Sequence, residues 1–164
     1  MTRANAPQAT PDRRVAHDAS LCATAWQALR RAHEQVSSRL AAELDRCCDL
    51  TISDFDVLLY VYAYREAQVR LQDLVEAGML SQPAMSRLVA RLESRGLVER
   101  RPAPDDGRVS LIRLTRKGMR IAEEAMAVHA ETIDAVLSRQ LTRNQQRDLV
   151  EILGKTIARS ERER

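Results

Sequence analysis

Aromatic side chains are scarce in this chain: one Trp, one Phe and three Tyr among 164 residues. All five (Trp26, Phe55, Tyr60, Tyr62 and Tyr64) precede Arg65, so the C-terminal part has none. A protein that grips single-stranded nucleic acid interleaves aromatic rings with cations so that bases can stack. Long apolar runs are also missing. Nothing approaches the roughly 20 residues that cross a bilayer, and no secretory apolar region marks the start. These absences predict a cytoplasmic protein without a membrane partner.

Chemistry is thin as well. His17, His33 and His129 are far apart, with no His-x-x-x-His spacing, and the three cysteines form no Cys-x-x-Cys pair. There is no Gly-rich phosphate loop, no serine nucleophile motif and no pair of carboxylates in an evident pocket. The expectation is no metal, no cofactor and no enzyme.

Positive charge, by contrast, is concentrated. The chain carries a formal net charge of +3, yet Ser81–Arg120 holds ten basic residues against four acidic ones. A surface that meets phosphates needs this clustering. With no aromatics in the segment, duplex DNA is the better target.

The basic segment follows a helix-turn-helix pattern. A short helix, Gln72–Glu76, is stopped by Gly78, which suits the left-handed conformation past a helix end. Ser81 is placed to cap a second helix with its hydroxyl, Pro83 falls in the first turn, and Gly96 ends the helix. Met85, Leu88, Val89 and Leu92 recur at i, i+3, i+4 and i+7 and should be buried. Gln82, Pro83, Ser86, Arg87, Ala90, Arg91 and Ser94 face the other way. Small residues there allow close approach, while Gln and Arg can read adenine and guanine. An ordinary amphipathic helix with a solvated basic face would show the same pattern. Strand-like Leu97–Arg101 and Val109–Leu114 then flank turn-forming Pro102–Gly107, a two-stranded wing. Arg108 near its tip suits the minor groove, and Asp106 is near enough to orient that guanidinium or simply to pin the hairpin.

Leu80-Ser81-Gln82-Pro83-Ala84-Met85-Ser86-Arg87-Leu88-Val89, followed by Leu92-Glu93-Ser94-Arg95-Gly96-Leu97-Val98-Glu99-Arg100, resembles the signature of MarR-type winged-helix regulators. Asp106-Gly107-Arg108 and Leu114-Thr115-Arg116-Lys117-Gly118 are similar to the same family's Asp-x-Arg…Leu-Thr-x-x-Gly wing pattern. The close match covers about residues 50–120. The fold expected is mainly α with a small β-wing: a winged helix-turn-helix over about 51–115, flanked by N- and C-terminal dimerisation helices over about 18–48 and 116–160. Residues 18–164 would form one domain behind a flexible arm, 1–17.

The flanks read accordingly. Leu21, Ala25, Leu29, Ala32, Val36, Leu40 and Leu44 form a stripe on a first long helix, whose opposite side is charged. Ser53 with Asp56 is a capping-box-like start for the next helix, with Phe55, Leu58, Leu59 and Tyr62 facing inward. Thr115 caps a second long helix running to about Arg139, with Ala122, Met126, His129, Ile133, Val136 and Leu137 on its apolar side. Thr142 caps the last, striped by Leu149, Ile152, Leu153 and Ile157. Such apolar faces suit pairing with a second copy, and the resemblance implies an intertwined homodimer reading an inverted repeat of double-stranded DNA, most often as a repressor. Candidate DNA-facing residues are Ser81, Gln82, Pro83, Ala84, Ser86, Arg87, Arg91, Asp106 and Arg108. Gln82, Ser86 and Arg87 would contact bases, and Ser81 and Arg91 phosphates.

The resemblance also implies a small aromatic or anionic effector. Trp26, Phe55, Tyr60 and Tyr64, with Arg30, are the candidate pocket; core packing is the other role for these rings. Cys22 is placed similarly to the peroxide-sensing cysteine of the organic-hydroperoxide branch, and a helix N-terminus would favour its thiolate. Its alternative is a small buried apolar residue. A winged-helix module binding an acidic protein partner is the competing function.

Overall fold

The computed structural model describes residues 13–65, 69–78, 80–103 and 109–162, with side chains described over 20–156 of these. Wing residues 104–108, which include Asp106 and Arg108, lie outside the described residues, as does the arm up to residue 12. The chain divides into two compact units, Met1–Ser37 and Ser38–Arg164.

The first unit is the N-terminal part of α1 (Arg13–Cys48). Residues 13–17, expected in the arm, are therefore helical. Arg30 and Glu34 form an ion pair one turn apart, but Leu21, Trp26 and Leu29 are exposed.

The second unit holds the core. The end of α1 contributes Leu40, Leu44 and Cys48, repeating at i+4 and buried. The helix stops at Asp49, which takes a positive φ of 52°, and Leu50 turns inward. Next comes α2 (Ile52–Ala63). Its cap is Thr51 rather than Ser53. The Thr51 hydroxyl accepts from the Asp54 N–H at 3.1 Å, and the Asp54 carboxylate accepts from the Thr51 N–H at 3.0 Å. This frame buries Phe55, Val57, Leu58 and Val61 and leaves Leu59, expected inside, at the surface. Tyr62 is half-buried and its hydroxyl donates to Glu123 at 3.2 Å.

The sheet has three strands, not two. The additional strand β1 (Val69–Arg70) pairs antiparallel with β3 (Ser110–Leu114), which pairs on its other side with β2 (Val98–Pro102). Helix α3 (Leu71–Glu76) follows β1, and α4 (Gln82–Ser94) follows the turn at Gly78. Met85, Leu88, Val89 and Leu92 are all buried, as their spacing predicts. Beyond α4, Gly96 has φ 68°. Its N–H reaches the Glu93 carbonyl at 2.8 Å and the Leu97 N–H reaches that of Leu92 at 2.9 Å. That pair of bonds is a Schellman cap, closed by the buried side chains Leu92 and Leu97.

After the sheet, Thr115 caps α5 (Arg116–Ile133), its hydroxyl accepting from the Gly118 N–H at 2.9 Å. The same hydroxyl donates to the Gly96 carbonyl at 2.7 Å, and the Thr115 N–H donates to that of Leu97 at 3.1 Å. The first turn of α5 is thereby drawn onto the exit from α4. Ala122 and Ala125 are small enough to let α5 approach the core closely. The continuous helix expected to about Arg139 instead passes into a π-helical turn, Asp134–Ser138. Thr142 then exchanges hydrogen bonds with Gln145 to start α6 (Arg143–Arg162). Val150 and Ile152 of α6 are exposed.

Candidate nucleic-acid interface

Burial of one stripe of α4 turns its other face outward. Ser81, Gln82, Pro83, Arg87, Ala90, Arg91 and Ser94 are exposed, and Ala84 and Ser86 are half-buried. Ser81 occupies the N-cap as expected, but its side chain makes no capping hydrogen bond. With Pro83 in the first turn, the helix start relies on backbone bonds such as Met85 N–H to the Ser81 carbonyl at 2.9 Å. The Ser81 hydroxyl is thus not committed to the cap. Among the described residues, no hydrogen bond or ion pair holds the Arg87 side chain.

Arg91, Arg95 and Arg100 are tied down, and sequence reasoning missed how. Asp54, on α2, is a buried carboxylate with its side chain 2% exposed. One oxygen accepts from the Arg91 guanidinium at 2.7 Å, and the other accepts from the Thr51 N–H and hydroxyl at 3.0 and 2.8 Å. Burial pushes this carboxyl up, but the Arg91 hydrogen bond, the two from Thr51 and the Arg91 charge together hold it below the ordinary aspartate value. Arg95 reaches the same corner, 4.0 Å from Asp54, and pairs with Asp49 at 2.9 Å. Lys117 donates to the Arg95 carbonyl at 2.9 Å, placing a cation at the negative end of α4.

Arg100 ties the wing root to the same helix. It donates to the Ser86 carbonyl at 2.8 Å, its backbone N–H donates to Glu93 at 3.2 Å, and its Nε lies 3.5 Å from the Glu93 carboxylate. Ladder pairing continues outward to the Ala103 N–H and Val109 carbonyl at 2.9 Å. The wing root and α4 are thus anchored to each other, and α4 to α2.

The remaining candidates fall in both units. Trp26 is 63% exposed, and Arg30 is paired with Glu34 on the same helix. In the second unit, Tyr60 and Tyr64 come together with ring centroids 4.7 Å apart. Phe55 is buried and stacks on His129 at 5.2 Å. Cys22 is exposed, not buried. Because α1 starts at Arg13, Cys22 lies more than two turns in, beyond the first turn where the helix dipole acts. Cys47 is half-buried and Cys48 buried; burial, then Glu124 and Cys47, pushes the Cys48 thiol up. No cluster of His, Cys, Asp and Glu among the described residues could hold a metal ion.

Comparison with known proteins bears on this arrangement. A sequence model described as MarR family matches residues 49–109. The chain is 29% identical over 137 residues to an uncharacterised HTH-type transcriptional regulator of Bacillus cereus, covering 84% of this chain and 89% of that protein. It is 28% identical over 123 residues to the multiple antibiotic resistance protein MarR of Escherichia coli, covering 75% and 84%. The fold superposes with a TM-score of 0.75 on Sco3205, a MarR family regulator of Streptomyces coelicolor crystallised in complex with DNA, at 23% identity over 84% and 88% of the two chains. The matched segment contains α2, α3, α4 and β2, and the chain has the winged helix-turn-helix fold of the MarR family transcriptional regulators that it resembles in sequence.

Proposed function

We propose that this regulator acts as a homodimer that represses transcription by occupying an inverted-repeat operator. The observation that carries the reading is the outer face of α4, where Gln82 and Arg87, the latter without a side-chain partner among the described residues, project from a helix whose opposite stripe is buried. Gln82, Ser86 and Arg87 contact base edges in the major groove, with Pro83 and Ala84 giving close approach, and Ser81 and Arg91 contact phosphates. Arg108, oriented by Asp106, enters the minor groove. Exposed Leu21, Trp26 and Leu29 on α1, and Val150 and Ile152 on α6, support the assignment of both flanks as dimerisation helices. Two-fold symmetry then sets half-sites about one turn of DNA apart, roughly 34–36 Å.

The deciding experiment is fluorescence anisotropy with the protein's own upstream intergenic DNA against a scrambled duplex, across a salt series. A preference of about a thousand-fold or more, weakening steeply with salt, is the expected result. Arg108→Ala should weaken operator binding about tenfold or more while leaving the dimer intact. Equal affinity of variant and wild type would remove the wing from the interface. If neither duplex binds, the basic face serves an acidic protein partner instead.

Release from the operator is assigned to a small aromatic anion or an oxidant. The ring pair Tyr60 and Tyr64 supports the former. The exposed thiol of Cys22 supports the latter. Treatment with an organic hydroperoxide should lower operator affinity of the wild type and leave the Cys22→Ser variant unaffected. A serine variant that still responds excludes Cys22 as the switch.

A further inference from the structure

Arg91 has one end fixed and the other free. Its side chain is 52% exposed, yet a single guanidinium nitrogen sits 2.7 Å from the Asp54 carboxylate, which is almost fully enclosed. Asp54 cannot move to follow Arg91, because its other oxygen is held by both donors of Thr51 at the N-terminus of α2. The anchor is therefore built into the start of a core helix 37 residues away in sequence. Arg95, one turn further along α4, is clamped to the same corner through Asp49 and approaches Asp54. That second clamp fixes the rotation of α4 about its own axis, and so the direction in which Arg91 leaves it.

An arginine on an open helix face ordinarily samples many rotamers and loses that side-chain entropy when a partner immobilises it. Here the carboxylate has already selected the rotamer. It also leaves the planar fork with donors turned to solvent, on the same face as Ser94 and Arg87. Pre-organised donors next to a groove-reading helix are suited to a phosphate oxygen of the DNA backbone.

We propose that Asp54 is a positioning residue for DNA binding, holding the Arg91 guanidinium half out of the surface so that its free N–H groups meet a backbone phosphate. This rests on the operator-binding reading above and extends it to a residue that touches no DNA. Asp54 orients the cation and Arg91 makes the contact. Affinity therefore depends on the pair and not on either residue alone.

The test is a double-mutant cycle in the anisotropy assay, using Asp54→Asn, Arg91→Ala and the double variant on full-length protein below the melting temperature of each. Asparagine keeps an oxygen acceptor and removes the charge that fixes the fork. Arg91→Ala should weaken operator and scrambled duplex alike and reduce the slope of log affinity against log salt by about 0.9. Asp54→Asn should weaken operator binding several-fold when Arg91 is present and change nothing further when it is added to Arg91→Ala. Equal losses in both backgrounds, or wild-type affinity of a folded Asp54→Asn variant, would overturn the proposal. If Asp54→Asn fails to fold, Arg91→Lys decides. Its charge persists without a planar fork to be oriented, so affinity should fall while the salt slope stays. Wild-type affinity there would overturn the proposal as well. A wild-type protein without duplex preference is a separate failure, visible before any variant is made, and it would overturn the operator reading and this proposal together.

Discussion

Gly118→Ala is expected to destabilise the fold strongly, although it adds a single methyl group. A Cβ at Gly118 would lie 1.8 Å from the Leu97 carbonyl oxygen and 2.8 Å from its carbon. Those are backbone atoms, so no side-chain rotation relieves the clash. Neither partner is free to shift. The Leu97 carbonyl accepts from the Thr115 N–H, and the Leu97 N–H closes the cap on α4. Gly118 itself is in the first turn of α5, held by the Thr115 hydroxyl. Making room means parting α5 from the α4–β2 junction, which breaks these bonds and opens the core around Leu97, Ala122 and Ala125. Overpacking a core costs about 1–3 kcal/mol, occasionally more. With backbone against backbone, about 3 kcal/mol or more is expected. For a chain of this size that corresponds to a fall in Tm of about 10 °C. Thermal melts of wild type and variant measure it, and unchanged melting would mean that α5 does not start where it is placed here.

The second large effect concerns Asp54, through stability rather than DNA. Asp54→Ala removes a charge-assisted hydrogen bond to Arg91, commonly about 1.5–3 kcal/mol, together with the acceptor for the Thr51 N–H, about 1 kcal/mol. A loss of about 3 kcal/mol near pH 7 is expected, measured by urea unfolding. Its pH dependence has a definite sign. The folded-state carboxyl is held below its ordinary value, which in the unfolded chain is about 3.9. Its electrostatic contribution is complete above that value and is lost as pH falls through the folded value. Wild-type stability should therefore approach that of the variant as pH drops below about 4, with the gap constant between pH 5 and 7. A gap that persists undiminished at pH 3 would show that the ion pair contributes nothing.

These residues also show where the sequence was legible. The buried stripe of α4 follows from spacing alone, because four apolar residues at helical intervals have only one way to face. The same holds for the positive φ at Gly78 and Gly96, and for the caps at Thr115 and Thr142. The start of α2 was not decidable in this way. Thr51–Asp54 and Ser53–Asp56 are both a hydroxyl followed three residues later by an acid, two positions out of step. What separates them is distant: Arg91 and Arg95 arrive at Asp54 from α4, and no local pattern records that. Strand β1 escaped notice because two residues cannot display an alternation. A dipole-stabilised thiolate at Cys22 presupposes a helix start that in fact lies further upstream. Asp54 itself carries no motif, so its role as the anchor of Arg91 became visible only with the fold.

The order of the three strands has a mechanical consequence. At Leu111 and Ile112, β3 has a neighbour on each side; at Ser110 it has only β2. The ribbon is therefore gripped on both edges at its base, where Leu111 and Ile112 are embedded beside Val98, and Arg100 rivets that base to α4 through Ser86 and Glu93. Base and helix form one bracket, so a displacement of either has to carry the other with it.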